Sequence, residues 1–370
     1  MHNTMGIIMN TKSENLFGEI TQNRCMSAVP FGGRYRLIDF ILSNMVNCGM
    51  KNISLITSHK FRSLLDHLGK GKEWGLDRKS EGLLYLPSAS PNILRKHNKF
   101  DLKDLDANFD YLQRSRQQYV FITGSNMLCN FNLKSAFSYH KERGADLTLI
   151  YKEERNKGCL ENLDFLSLDF DGRVNAINHN PGSGEFENIS MEMIIMEREL
   201  LMDIINVASA SGNWDLAEIL AENIDELKIY GYPFKGYLAK INSIENYFRC
   251  NMDLLKPEIW RELFFSFGPI YTKSKDGPPA KYENGARTRN VLVATGCNIK
   301  GSIENSVIFR GVTVAGGTQI SNSIIMQKSV IGENAVLENV ILDKDVTIRK
   351  GVVLKGDRNH PIVIGKKTVI

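Results

Sequence analysis

The sequence lacks any apolar run that approaches the ~18–20 residues needed to cross a bilayer. Residues 1–4 do not form a charged start followed by a long apolar stretch, as the beginning of a signal peptide would. We therefore expect a cytoplasmic protein that has no membrane partner.

Cysteine is scarce and shows no metal-binding pattern. No two cysteines form a C-x-x-C pair, and no histidine stands at ligand spacing from any of them, so we expect no zinc or other metal site. Dispersed thiols of this kind are typical of reduced side chains in small apolar spaces. The six cysteines are Cys25, Cys48, Cys129, Cys159, Cys250 and Cys297.

A strong excess of one charge is also missing. The formal net charge is +4, and lysine and arginine are scattered among the acids. A nucleic-acid groove needs a dense basic stripe, so we expect no nucleic-acid partner. The small cluster of Arg34 and Arg36 fits a small phosphorylated ligand better. A second cluster, at residues 70–79, is equally well explained as a solvated surface.

With 370 residues the chain is long enough for two domains. Its first part alternates apolar strands with segments of helical spacing, which predicts a doubly wound, Rossmann-like α/β domain over residues 1–255. Gly49 is expected to end a helix, and Asp171-Gly172 to form a hairpin turn. Strands are predicted at 5–9, 53–57, 119–123 and 147–151, and helices at 37–46, 133–143, 199–207, 215–223 and 244–255.

The pattern changes beyond residue 255. Helical periodicity fails over 256–289, where Gly-Pro pairs predict an extended surface linker. Over 290–370 an aliphatic residue recurs every five or six positions, with glycine or asparagine between. This repeat predicts a left-handed parallel β-helix. The recurring residues are Ile303, Ile308, Val314, Ile320, Ile325, Ile331, Val336, Ile341 and Val346.

Many hexapeptide proteins are acyltransferases with a histidine in the coils. Here the only histidine after His179 is His360, which lies past the last clear repeat. Because that chemistry needs a general base in the site, the sequence argues against it.

One long motif connects the chain to a known family. The segment SAVPFGGRYRLIDFILSN at 27–44 closely resembles the signature of ADP-glucose pyrophosphorylases. Shorter matches follow in the same order: HLG at 67–69, EWGLDR at 73–78, GADLT at 144–148, YPFKGY at 232–237 and NMDLL at 251–255. The resemblance implies a nucleotidyltransferase-like domain, a β-helix domain and a role in glycogen synthesis through ADP-glucose.

The chemistry of that family is attack by glucose 1-phosphate on the α-phosphate of ATP. It needs a glycine-rich phosphate loop, cationic side chains and carboxylates that hold Mg²⁺. In this chain Met9 is followed by NTKSENL, without glycine until Gly18. Side chains at every position keep the backbone of such a loop away from a phosphate. The resemblance also places Met26 where the family has a lysine.

The metal ligands of the family are replaced as well. Ser125 stands at the position of its first aspartate, and Lys240 at that of the second. A hydroxyl beside an ammonium would repel Mg²⁺, so we expect no cofactor in this chain. At the position of the sugar-phosphate lysine stands Asn180. A residual ligand cleft is expected to involve Ser125, Asn126 and Lys240, with Lys240 pairing directly with a phosphate.

Two basic positions of the family are retained. Arg24 and Arg36 match places where the family gathers charges that bind anionic effectors. Arg36 could instead only begin a helix or form a local ion pair.

Three functions remain open. The resemblance favours a non-catalytic regulatory or scaffolding subunit. Its partner would be an active catalytic subunit that alone uses Mg²⁺, in a hetero-oligomer expected to be a tetramer. The chain could instead be an active transferase with altered metal ligation. It could also be a stand-alone sensor of a sugar nucleotide or phosphorylated effector.

Overall fold

The computed structural model describes residues 1–9, 13–57, 60–89, 100–155, 164–179 and 184–370. Its first part is an α/β domain, as the alternation of strands and helices predicted. The strands are β1 (Thr4–Ile8), β2 (Pro30–Phe31), β3 (Tyr35–Arg36), β4 (Asn52–Thr57), β5 (Gly82–Pro87), β6 (Tyr119–Thr123), β7 (Met127–Leu128), β8 (Leu147–Arg155), β9 (Phe165–Leu168), β10 (Val174–Asn178), β11 (Phe186–Glu197), β12 (Ile229–Pro233) and β13 (Ala239–Lys240).

The helices of this domain lie between or after its strands along the chain, singly or in consecutive pairs. No helix in the described ranges is both long and apolar enough to span a membrane. They are α1 (Leu37–Asn47), α2 (Arg62–Leu68), α3 (Lys103–Asp106), α4 (Phe109–Arg114), α5 (Leu133–Glu142), α6 (Arg198–Ser211), α7 (Leu216–Glu222), α8 (Ile244–Asp253) and α9 (Pro257–Phe265), with 3₁₀ turns at Ser13–Thr21, Met26–Ala28 and Lys72–Trp74.

One mixed sheet forms the centre of this domain. Strand β1 runs parallel to β4 and β6, and β4 runs parallel to β5. On the other side, β11 runs antiparallel to both β6 and β8, and β12 runs parallel to β8. The predicted hairpin is confirmed, because β9 and β10 pair antiparallel around Gly172, whose φ is 83°.

Helices cover both faces of the sheet because the strand residues alternate between them. Ile8 of β1 packs with α1, α2 and α5, whereas Ile7 packs with α6 and α7. Gly49 follows α1 with a φ of 90°, in the left-handed region expected of a helix-ending glycine.

The second part is a parallel β-helix, also as predicted. Residues of successive coils lie directly above one another. The series begins at Thr288 and continues through the aliphatic residues Ile303, Ile320, Leu337 and Leu354. The strands are β14 (Lys281–Tyr282), β15 (Arg287–Val293), β16 (Asn298–Ile299), β17 (Ser302–Ile308), β18 (Thr313–Val314), β19 (Gln319–Ser321), β20 (Ile324–Ile325), β21 (Val330–Ile331), β22 (Val336–Glu338), β23 (Val340–Leu342), β24 (Thr347–Ile348), β25 (Val353–Lys355) and β26 (Ile362–Ile364).

Asparagines form one corner of the coils. Asn290, Asn305, Asn322 and Asn339 all have φ between 43° and 52°, a conformation that asparagine adopts more readily than most residues. The Asn290 side-chain amide donates a hydrogen bond to Asn305 Oδ1 at 2.9 Å. The corner residues therefore turn each coil, and a side-chain hydrogen bond also joins the first two corners.

The stretch 256–289 differs from the extended linker that was predicted. It begins with helix α9, whose proline at the first turn is preorganised for a helix. Leu263 and Phe264 of α9 are buried, and 266–280 is the longest part of the stretch without helix or strand. The repeating coils already begin at Lys281, because Lys281 pairs with Asn298.

An apolar surface joins the two parts. Phe17 and Tyr247 of the α/β domain pack with Val307, Ile324 and Ile341, whose side chains project outward from one face of the β-helix. A buried ion pair completes this surface: Arg24 donates to both carboxylate oxygens of Asp343, each at 2.9 Å, and to the Ile20 carbonyl oxygen at 3.1 Å. The side chains of Arg24 and Asp343 are only 3% and 1% exposed.

Removing one member of this pair leaves the other charge buried and unpaired. We expect Arg24→Met to lower the free energy of unfolding by about 3–5 kcal/mol. The double variant Arg24→Met/Asp343→Asn should lose less than Arg24→Met alone. Urea titration followed by circular dichroism measures both. Arg289→Ala, which breaks the exposed pair with Glu304, is the matched control and should leave stability almost unchanged. Equal losses for Arg24→Met and the control would contradict this role.

Candidate functional site

The structure brings Ser125, Asn126 and Lys240 together. Ser125 and Asn126 follow β6, and the next strand, β7, pairs antiparallel with β13, which ends at Lys240. The Ile241 amide donates to the Asn126 carbonyl oxygen at 2.9 Å, which fixes the two segments side by side. The position is at the carboxyl end of a central strand, where ligands bind in open α/β sheets.

Neither Ser125 nor Met26 presents a group to a ligand. The Ser125 and Ser27 hydroxyl oxygens are 2.7 Å apart, and both side chains are buried. Met26 is fully buried in the apolar surface between the domains. Asn180, the fourth replaced position, lies outside the described residues, as do residues 10–12, where the family has its phosphate loop.

Lys240 has a buried ammonium without a hydrogen-bond partner. Burial lowers its pKa to about 8, and the nearby carboxylates of Glu192, Asp164 and Glu154 oppose that shift. The charges around Lys240 are therefore negative. A phosphate cannot reach its Nζ in this conformation, in contrast to the predicted direct contact.

Of these three carboxylates, Glu192 of β11 has the largest effect on the pKa of Lys240. Burial raises its pKa to about 7, and the positive charge of Lys240 opposes the rise. Its Oε2 atom is buried and accepts no hydrogen bond. The Asn126 amide is close enough to lower the pKa of Glu192, but it lacks hydrogen-bond geometry.

This donor set does not fit Mg²⁺. The ion requires several oxygen ligands in near-octahedral geometry, whereas Lys240 places a cation among the oxygens. Within the described ranges no group of three or more His, Cys, Asp or Glu side chains could hold a metal ion. No catalytic step can be derived through a metal here.

A second concentration of charge lies where the domains meet. We call Arg36, Lys275, Arg310 and Lys344 the junction cluster. Burial, and then the charges of Arg36, Arg24 and Lys275, lower the pKa of Lys344 to about 7, and Asp343 opposes this shift. Burial, opposed by Asp39, lowers the pKa of Arg36 to about 10. The pKa of Lys275 is also lowered, by burial and then by Arg36 and Arg310.

Two carboxylates near the junction cluster, those of Asp343 and Asp39, are already engaged. Asp343 is held by Arg24, and Asp39 Oδ1 lies 2.6 Å from the His67 ring nitrogen Nε2. Arg310 Nε is buried and donates no hydrogen bond. The cluster therefore has an excess of positive charge and an unused donor, which are the properties of an anion site.

The two predicted effector residues differ in their contacts. Arg24 is committed to Asp343, so it contributes charge rather than direct contact. Arg36 donates to the Ser63 carbonyl oxygen and, at 3.0 Å, to Ser63 Oγ. Sequence analysis missed Lys275, Arg310 and Lys344, because each is a single basic residue in no motif. The closeness of Arg34 and Arg36 in the sequence, and the family positions of Arg24 and Arg36, were the signals that indicated a basic surface here.

Comparison with known proteins first gives the class. Residues 6–244 match the model of the nucleotidyl transferase family, and residues 278–361 match that of the GlmU-like C-terminal hexapeptide family. The chain is thus a nucleotidyl transferase-type domain followed by a hexapeptide β-helix.

Whole-chain relatives then give the particular family. The glycogen biosynthesis protein GlgD of Bacillus subtilis (strain 168) is 37% identical over 366 residues, which are 99% of this chain and 96% of the relative. The GlgD protein of Geobacillus stearothermophilus is 37% identical over 370 residues, which are 100% of this chain and 98% of that relative. The chain therefore belongs to the GlgD family of glycogen biosynthesis proteins. A glucose-1-phosphate adenylyltransferase of Bacillus cereus (strain Q1) is 29% identical over 352 residues, 93% of each chain.

The low pKa of Lys344 predicts pH-dependent anion binding. An anion binds the protonated lysine better, so binding takes up a proton and weakens as pH rises through about 7. We expect sulfate affinity to fall between pH 6 and pH 8.5, by at most about tenfold per pH unit. Calorimetry measures it, with sulfate chosen because it keeps its charge over this range.

Two variants test the assignment. Lys344→Met should bind sulfate more weakly and lose most of the pH dependence. Lys350→Met, on an exposed lysine paired with Glu333, should behave as the parent chain does. A parent affinity that does not change with pH would contradict the role of Lys344.

Proposed function

We propose that the chain is a regulatory and scaffolding subunit of a glucose-1-phosphate adenylyltransferase and lacks activity of its own. The observation that carries this proposal is Lys240. By the family resemblance, this buried ammonium stands where the reaction needs a carboxylate that holds Mg²⁺, and the structure gives it carboxylates as its charged neighbours. Its partner would be the active catalytic subunit, in a hetero-oligomer expected to be a tetramer.

The loss of activity follows from what the reaction requires. Adenylyl transfer depends on neutralising the triphosphate and aligning the attacking oxygen, and metal ions supply much of this stabilisation. Here the Ser125 hydroxyl is hydrogen-bonded to Ser27, and Lys240 repels a divalent cation. Altered metal ligation would still need oxygen donors that these two residues do not offer.

The regulatory part of the proposal rests on the junction cluster. Arg36 comes from the α/β domain, Lys275 from the stretch before the coils, and Arg310 and Lys344 from the β-helix. An anion that binds all three segments would favour one relative arrangement of the domains. A phosphorylated effector has the required charge. The effect of the bound anion reaches a partner subunit only if the two subunits share a contact that changes with the relative arrangement of the domains.

The scaffolding part rests on architecture. The Bacillus cereus adenylyltransferase matches this chain over nearly the whole length of both. Two chains of the same domain plan offer related surfaces, so one can take the place of the other in an assembly. A stand-alone sensor would use the same junction cluster, and only the need for a partner separates the two functions.

Activity assays test the proposal directly. The purified chain with Mg²⁺, ATP and glucose 1-phosphate should give no ADP-glucose, where turnover of ~1–10³ s⁻¹ is usual for enzymes. Ser125→Asp/Lys240→Asp should remain inactive, because the loop after Met9 lacks glycines. Turnover by the unmodified chain alone would contradict the proposal.

Mixing with the catalytic subunit tests the partnership. Co-expressed subunits should elute as one larger species, and the effector response or substrate affinity of the partner should change. Lys344→Met should still co-elute but should alter the effector response, whereas Lys350→Met should match the parent. Separate elution with unchanged kinetics would contradict the partnership and favour the stand-alone sensor.

A further inference from the structure

Helix α9 carries two aromatic side chains at the surface of the protein. Trp260 is 38% exposed and Phe265 is 63% exposed. Their rings are neighbours, with centroids 5.1 Å apart and planes inclined to each other by 54°. Single exposed apolar residues are common, but adjacent ones form a patch, and burying an aromatic ring is strongly favourable. The fold itself gives no reason to leave two adjacent rings exposed.

The two rings stand on a helix that is fixed in place. On the buried side of α9, Phe264 packs on Tyr35 with ring centroids 4.8 Å apart, and the Trp260 ring lies 5.9 Å from that of Phe264. Near the end of the helix, Asn130 Nδ2 donates to the Leu263 carbonyl oxygen at 3.2 Å. The exposed rings are therefore arranged before any ligand binds, which lowers the entropy that binding costs.

The pair of exposed rings is small for a contact between subunits. Together the two side chains expose about as much surface as one whole aromatic side chain, roughly 200 Å². A stable protein interface takes about 800 Å² from each partner. The exposed residues Glu258 and Arg261 of α9 have opposite charges and lie on one side of the helix, at i, i+3 spacing. The patch therefore suits an uncharged ligand, or one segment of an uncharged polymer.

A chain of glucose units has the chemistry that such a patch recognises. One face of a glucose ring presents C–H groups that pack on an aromatic ring, and the hydroxyl groups at its rim hydrogen-bond to charged side chains. Two rings that are inclined to each other fit a curved polymer better than a flat one. The α-1,4 linkage curves a chain of glucose units, whereas the β-1,4 linkage keeps it extended and flat.

We propose that Trp260 and Phe265 form a binding site for α-1,4-glucan chains. Each ring receives the face of one glucose unit, and Arg261 donates to the sugar hydroxyls while Glu258 accepts from them. The inference goes beyond the proposed function, because it gives the chain a polymeric sugar as a ligand, at a place remote from the cleft and from the junction cluster. It agrees with membership of a family of glycogen biosynthesis proteins.

Titration with maltoheptaose, a soluble α-1,4-linked chain of glucose units, tests the proposal. We expect calorimetry with the full chain to show binding, and to show much less with the β-1,4-linked cellohexaose at the same concentration. Trp260→Ala and Phe265→Ala should each weaken binding about tenfold, because each removes one ring on which a sugar packs. Trp260→Phe keeps a ring, so it should retain most of the affinity but lose the change in tryptophan fluorescence that maltoheptaose causes in the parent.

A lone exposed ring elsewhere provides the comparison. Phe170 is 97% exposed on the hairpin between β9 and β10, and Phe170→Ala should bind maltoheptaose as the parent does. Thermal melts confirm that each variant is folded.

Three outcomes overturn the proposal: no binding of maltoheptaose, equal binding of cellohexaose, or unchanged affinity in both alanine variants. If Trp260→Ala instead dissociates an oligomer of the parent chain in sedimentation velocity, the pair is a contact between copies and the proposal also fails. Because the readout is sugar binding rather than turnover, its failure leaves the proposed lack of activity standing.

Discussion

The contact between the two domains organises the rest of the molecule. Its centre is the buried pair of Arg24 and Asp343, set in an apolar surface that one face of the β-helix shares with the α/β domain. The sheet that forms this face of the β-helix is apolar on its inner and its outer surface. Ile308 packs inside the coils, whereas Val307 packs against the α/β domain. Because the docking is fixed in this way, Lys344, next to Asp343, lies near Arg36 of the α/β domain.

The surroundings of positive charge differ between Lys240 and the junction cluster. At Lys240 the ammonium is buried without a hydrogen-bond partner, and the charges of nearby carboxylates oppose the fall in its pKa. In the junction cluster, the neighbouring carboxylates are paired with other groups, so positive charge remains in excess. The first arrangement closes a position to anions, and the second attracts them. The proposed function, a subunit without the reaction that responds to a phosphorylated molecule, requires this combination.

Much of the fold could be predicted from the sequence, because periodicity reports local geometry. The strand at 119–123 and the helix beginning at Leu37 follow from apolar spacing, and the coils follow from the short repeat. Helix α9 was missed because it is only a little over two turns long and begins at a proline. Its burial of Leu263 and Phe264 depends on tertiary contacts that no local pattern displays.

The sites were less predictable than the fold. Ser125, Asn126 and Lys240 could be grouped only through the family resemblance, which fixes their order along the chain. Glu192 gave no signal, because its burial and positive φ depend on a bulge in β11 that no local pattern displays. Lys275, Arg310 and Lys344 come together only when the coils dock on the α/β domain. Long-range contacts of this kind are invisible to composition and spacing.

The contrast between the two charged positions can be observed in one experiment. Crystals of the chain soaked in selenate, whose selenium scatters anomalously, locate bound anions without any assumption about their ligands. We expect an anomalous peak at the junction cluster, close to Lys344 and Arg310, and none beside Lys240. A peak at Lys240, or an empty junction cluster at saturating selenate, would contradict the assignment of anion binding to the domain contact.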